Sequence, residues 1–171
     1  MNVESPSLRP SPAKRHKRQM DNTGEYVFTT DRDALDIDVI HRFLSNESYW
    51  ARGIRREVVA ACVRNSFCLG VLHERRLVAF GRVVTDYATY GHVMDVFVLP
   101  EHRGRGLGKR MMERMVAHPD LQGFRLWTLG TADAHSLYAR YGFAAPAHPE
   151  RWMERRDADL QGRTWREAPV K

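Results

Sequence analysis

Cysteine is scarce: Cys62 and Cys68 are the only two in 171 residues, and they do not form a CxxC pair. That excludes a disulfide framework and makes a reducing, cytoplasmic compartment the expectation. Long apolar runs are also missing. The densest, from Val93 to Leu99, is far shorter than the roughly 20 residues of a membrane-spanning helix, and it contains Asp95. No apolar signal core stands near the N-terminus, where Arg9 to Arg18 is polar and basic. The eight histidines show no HxxxH or Cys/His ligand spacing, so no metal is expected. No internal repeat is visible.

Basic charge is present in excess, but unevenly. The net charge is +6, and residues 1–20 carry +4 of it, with Arg9, Lys14, Arg15, Lys17 and Arg18 against Glu4. The charge therefore belongs to a tail, and a nucleic-acid partner is not expected. Residues 1–24, with three prolines and three serines, are predicted to be a disordered basic tail, and Met20 stands as an alternative start. Residues 25–157 hold one domain, with 43% hydrophobic residues in the chain as a whole, and residues 158–171 form a polar C-terminal tail.

Within the domain, Tyr26 to Thr29 suits a short strand. Asp36 can cap a helix carrying Val39, Ile40, Phe43 and Leu44, and Val58, Val59, Cys62 and Val63 mark a second helix over 55–64. Between them lies a loop with Tyr49 and Trp50. Strand-like runs follow at 67–72 and 77–85, joined by a hairpin, and at 92–99. A helix at 107–117, a strand at 124–129, a helix at 134–140 and a last strand including Trp152 and Met153 complete the order. A meander followed by a β-loop-α-β crossover predicts an α+β fold, a mixed sheet with helices on both faces.

The chemical centre is the loop Arg103-Gly104-Arg105-Gly106-Leu107-Gly108-Lys109 between an apolar strand and a helix. Its glycines permit sharp turns and close approach of backbone to ligand. The helix start offers free N–H groups, and the arginines supply forked donors, which together suit a pyrophosphate. A Walker loop is excluded because Arg110 follows Gly108-Lys109 and Arg103 stands where its leading glycine belongs. The dinucleotide fingerprint fails at Lys109, three after Gly106.

What fits is [Q/R]-x-x-G-x-[G/A], filled by Arg103, Gly106 and Gly108, followed about thirty residues on by A-x-x-L-Y-x-x-x-G-F, filled by Ala134, Leu137, Tyr138, Gly142 and Phe143. With Val98-Leu99-Pro100-Glu101 before the loop, residues 26–156 resemble the GNAT (Gcn5-related N-acetyltransferase) superfamily. The chain departs from many relatives in having Thr131, not Asn, seven residues before the tyrosine. The resemblance implies a mostly antiparallel sheet of six to seven strands, splayed between strands 4 and 5. Acetyl-CoA would enter the splay as acyl donor, with its pantetheine on the backbone near Phe97 and Val98 and its pyrophosphate on the amides of Arg103 through Lys109.

The same resemblance implies an acetyltransferase moving the acetyl group to a primary amine by direct attack. Tyr138 would be the acid, Tyr141 core or rim. Asp95, a carboxylate inside an apolar strand, and His92 at that strand's start are the candidates for base, with a water relay as the alternative. Tyr49 and Trp50 are the candidates for the acceptor pocket. A small-molecule amine is the expected acceptor, ahead of a protein lysine or N-terminus, and ahead of a non-catalytic acyl-CoA sensor. A homodimer is compatible with the family, and no interface is legible in the sequence.

Overall fold

The computed structural model describes residues 26–155; the expected tails, 1–24 and 158–171, lie outside the described residues. Strand β1 (Val27–Thr29) comes first. Asp36 then caps helix α1 (Ile37–Arg42), its carboxylate accepting from the amides of Asp38 and Val39, two donors that a helix start leaves without partners. The helix widens into a π turn over Phe43–Glu47, closed by Ser48 N donating to Phe43 O at 3.0 Å, and releases the aromatic loop. Helix α2 (Arg56–Arg64) follows. Strands β2 (Phe67–His73) and β3 (Arg76–Thr85) form a hairpin whose central residues, Glu74 and Arg75, have φ of 48° and 65°. Two positive φ values in a two-residue turn match the twist of the flanking strands. Strand β4 (Tyr90–Val98), helix α3 (Leu107–Val116), strand β5 (Leu126–Leu129) and helix α4 (His135–Ala139) complete the order.

The strands stand in sequence order, antiparallel except for β4 and β5, which run parallel across the α3 crossover. Each sheet face buries its own core. On one, α3 sets Leu107, Met111, Met112 and Met115 against Val71, Val78, Val83 and Val93. On the other, α1, the π turn and α2 set Ile40, Phe43, Leu44, Val59 and Val63 against Leu77, Phe80 and Phe97. A fully buried side chain of this size contributes about 1.5–3 kcal/mol. Helix α3 lies so close to β3 that a Cβ on Gly81 would stand 2.7 Å from Met115 Cε.

Two irregularities position the site. The β3–β4 register shifts between Phe80↔Phe97 and Arg82↔Met94, where Asp95 adopts φ +54°. This bulge inserts one residue and reverses which side chains face which core. The second irregularity is the shortness of β5, which pairs with Tyr90 to Val93 alone. Beyond Val93 the two strands part, giving the expected splay.

The sheet has five strands among the described residues, not six to seven. The expected last strand at Trp152 and Met153 is absent: the chain turns at Gly142, makes a 3₁₀ turn at Pro149–Arg151 and leaves Met153 97% exposed. Pro146 and Pro149 remove ladder donors from this stretch, which weakens it as a sheet partner.

Candidate active site

The splay opens into a cleft of about 230 Å³ lined by Val98, the glycine loop, the start of α3 and Leu137 of α4. Gly104 and Gly106 hold φ of +75° and +73°, and a Cβ on either would meet no protein atom within 4 Å. Gly106 caps α3 with no side-chain hydrogen bond, and Arg110 N donates to Gly106 O at 3.1 Å. The amides of Leu107, Gly108 and Lys109 precede that bond and have no intrahelical acceptor, so they and the helix dipole favour an anion. Arg103 Nε donates to Val98 O at 3.0 Å. Leu99 N donates to Val78 O, and the alternation of an antiparallel ladder then turns the backbone groups of Phe97 towards β3 and those of Val98 towards the splay.

At the last rungs before the strands part, Thr128 of β5 hydrogen-bonds two residues of β4, His92 Nδ1 at 2.6 Å and the Tyr90 hydroxyl. Burial first, and the Arg82 charge second, hold the His92 imidazole below its ordinary pKa. Asp95 is buried and fully engaged. One carboxylate oxygen accepts from Arg82 Nε and the other from Trp50 Nε1 at 3.0 Å. Arg82 also donates to Ser66 Oγ at 3.2 Å.

Tyr138 packs against the α3-side core, with Phe143 edge-on at 6.1 Å. Burial, then Tyr49, then Asp133, push its phenol above the ordinary value, so it keeps its proton at neutral pH. Thr131 accepts from the amides of Ala134 at 3.0 Å and Asp133 at 3.4 Å, and so caps the approach to α4.

Residues 64–145 match the acetyltransferase (GNAT) domain model. A crystal structure of a candidate GNAT-family acetyltransferase from Xanthomonas campestris pv. campestris is 48% identical, with a TM-score of 0.78 over 81% of this chain and 97% of that one. This chain belongs to the GNAT superfamily. A candidate acetyltransferase of Gibberella zeae is 29% identical over 68% of this chain and 77% of its own length. The fold is shared with a candidate acetyltransferase from Clostridium acetobutylicum crystallised with acetyl-CoA, at 16% identity and a TM-score of 0.56 over 77% of this chain and 94% of that one. Membership of the GNAT superfamily makes the protein a transferase of the acyltransferase class.

Two residues of this GNAT domain gain roles that the sequence did not assign. Tyr141 donates its hydroxyl to Lys109 O at 2.7 Å and ties α4 to the first turn of α3. His102 lines the cleft with its Nδ1 hydrogen-bonded to the Tyr26 hydroxyl at 3.0 Å. The only earlier signal for Tyr141 was its place inside the second motif, just past the helix that carries Tyr138, and for His102 its place beside the glycine loop. Cys68 is buried and its thiol is pushed up to about 12 by desolvation, so it is no nucleophile. Among the described residues no helix is long and apolar enough to cross a membrane.

Proposed function

We propose that this GNAT domain transfers the acetyl group of acetyl-CoA to a primary amine by direct attack, with a cytoplasmic small molecule as acceptor. The observation that carries the reading is one cleft lined both by the α3 amide cradle and by Val98, on the stretch of β4 that β5 leaves unpaired. The residues fit the donor: free first-turn amides and flanking Arg103 and Lys109 suit a pyrophosphate, and the backbone of Val98 suits an amide chain. Acetyl-CoA supplies an acyl thioester, activated towards amines.

The chain's part is to hold the two reactants and move protons. His92, held below its ordinary pKa, is neutral at pH 7 and takes the amine's proton directly or through a water. Tyr138, held above its ordinary value, stays a phenol and protonates the departing thiolate. The ammonium proton leaves to solvent before attack, and His92 takes the proton that attack leaves on the nitrogen. Exchange with solvent then reprotonates Tyr138 and deprotonates His92, so one proton is released for each acetyl transferred.

The test is thiol release from acetyl-CoA across a panel of amines and lysine peptides, with Tyr138→Phe beside wild type. The variant should lower kcat at least about tenfold with acetyl-CoA affinity little changed. Wild-type kcat in the variant would remove Tyr138 from the mechanism. Turnover confined to peptides would replace the small-molecule acceptor with a protein, and tight binding without turnover would leave a sensor.

A further inference from the structure

Tyr49 and Trp50 lie across the mouth of the splay and are fastened on both sides. Towards β4, Trp50 Nε1 donates to Asp95 Oδ1 at 3.0 Å. Towards β5, the Tyr49 hydroxyl accepts from Ala132 N at 3.0 Å, in the segment leading to α4. The two rings meet edge to face, 4.9 Å apart at 83°, and Trp50 leans on Phe43, which stacks on Phe97 at 4.0 Å. Despite these anchors Tyr49 is 58% and Trp50 41% exposed. An aromatic surface thus stands open, tied through Ala132 to the segment that leads into α4 and Tyr138.

Asp95 sets the orientation of that surface. It sits in the left-handed region at the β4 bulge, an uncommon conformation for a residue with a side chain. It is 8% exposed, and Arg82, 7% exposed, holds its second oxygen while reaching on to Ser66. An indole has one polar group, its N–H donor, and here that donor is spent on Asp95. The outward part of Trp50 is carbon and π surface alone.

We infer that Asp95, held by Arg82, is a positioning residue that turns the Trp50 N–H inwards, so that the acceptor wall selects primary amines carried on an aromatic or aliphatic body. This rests on the acetyltransferase reading of the splay. The Trp50 face, with no free donor, gains nothing from a hydroxyl on the acceptor, whereas an apolar body removes both its own and the face's carbon surface from water. The Tyr49 hydroxyl, which accepts from Ala132 N, keeps its own proton on the β5 side of the wall.

The test compares kcat/KM for 2-phenylethylamine and 3-methylbutylamine with that for ethanolamine. Calorimetric binding of each amine to the CoA-saturated protein runs beside it. Wild type should favour the apolar amines at least about tenfold, through KM, the factor that 1.4 kcal/mol supplies. Trp50→Ala should abolish the preference. Asp95→Asn should raise KM for 2-phenylethylamine several-fold while the acid limb of its kcat–pH profile stays in place.

Loss of kcat and of the acid limb in Asp95→Asn at unchanged KM would make Asp95 the base and overturn the inference. If Asp95→Asn does not fold, Trp50→Phe decides, since it keeps a ring but loses the anchor: its KM for 2-phenylethylamine must rise, and an unchanged KM refutes the anchoring. Turnover without amine preference sinks the inference and spares the transferase reading. Trp50-dependent preference in binding with no turnover sinks the transferase reading and spares the inference.

Discussion

Replacing Asp95 with alanine isolates the energetic weight of the buried pair on β3 and β4. The side chains of Arg82 and Asp95 are 9% and 6% exposed, so neither charge has ready access to water. In Asp95→Ala the guanidinium keeps only Ser66 Oγ at 3.2 Å and the Met94 sulfur at 3.4 Å, neither of which carries charge. Stranding one partner of a buried pair costs about 3–5 kcal/mol. Alanine also tolerates the positive φ of this position less well than aspartate, which adds to the loss. Set against a typical stability of about 5–15 kcal/mol, the melting temperature should fall by about 6–20 °C. Thermal unfolding by circular dichroism gives the shift, and urea unfolding should return an unchanged m-value. The double variant Arg82→Met/Asp95→Ala removes both charges and should recover at least half of the loss. A single variant melting within about 2 °C of wild type, or a double variant no better than the single, would refute the reasoning.

Three further outcomes are expected. Because native His92 resists the proton that the unfolded chain accepts near its ordinary value, its contribution to stability is present above about pH 6.5 and is lost as pH falls towards the native pKa; His92→Gln should flatten the pH dependence of urea unfolding in that window, and an unchanged slope would count against it. Gly106→Ala places a side chain at φ +73° for about 1–2 kcal/mol of strain, at a position that lines the cleft and has no protein atom within 4 Å of the added carbon; calorimetry should show acetyl-CoA binding weakened more than stability accounts for, and equal affinity would remove Gly106 from the donor site. Iodoacetamide should label the half-buried Cys62 in the native protein and reach Cys68, its thiol pushed up to about 12, only after unfolding; rapid native labelling of both, read by mass spectrometry, would contradict the burial.

The regular parts were legible because local spacing and tertiary packing agree. Leu107, Met111 and Met115 recur every four residues and all three are buried against the sheet, so the pattern of α3 and its place are one fact. The glycine loop was legible because positive φ at Gly104 and Gly106 is a local demand. The partners of Asp95 were not. Arg82 is 13 residues away and Trp50 is 45, and they meet only through the β3–β4 register, which the bulge displaces. Tyr141 reaches Lys109 across 32 residues by the same kind of long-range placement. The apolar pair Trp152 and Met153 suggested a strand, but the local pattern carries no information on whether a sheet edge accepts it.

The bulge also explains why β4 reads as an almost unbroken apolar run. With strict alternation Gly91, Val93, Asp95 and Phe97 would share the face under α3, and the carboxylate would enter the methionine core with no cation to meet it. The inserted residue moves Asp95 and Phe97 to the face of α1 and α2 and gives Val96 and Val98 to α3. Both halves of the strand then need apolar residues, but on opposite phases, and the sum is a continuous run. The same displacement sets a carboxylate beside the aromatic loop just past the point where pairing with β5 ends. The fixed aromatic wall is therefore a consequence of the bulge, and it stands beside the open edge that the shortness of β5 leaves. Asp95 tolerates the bulge because two donors hold its side chain there.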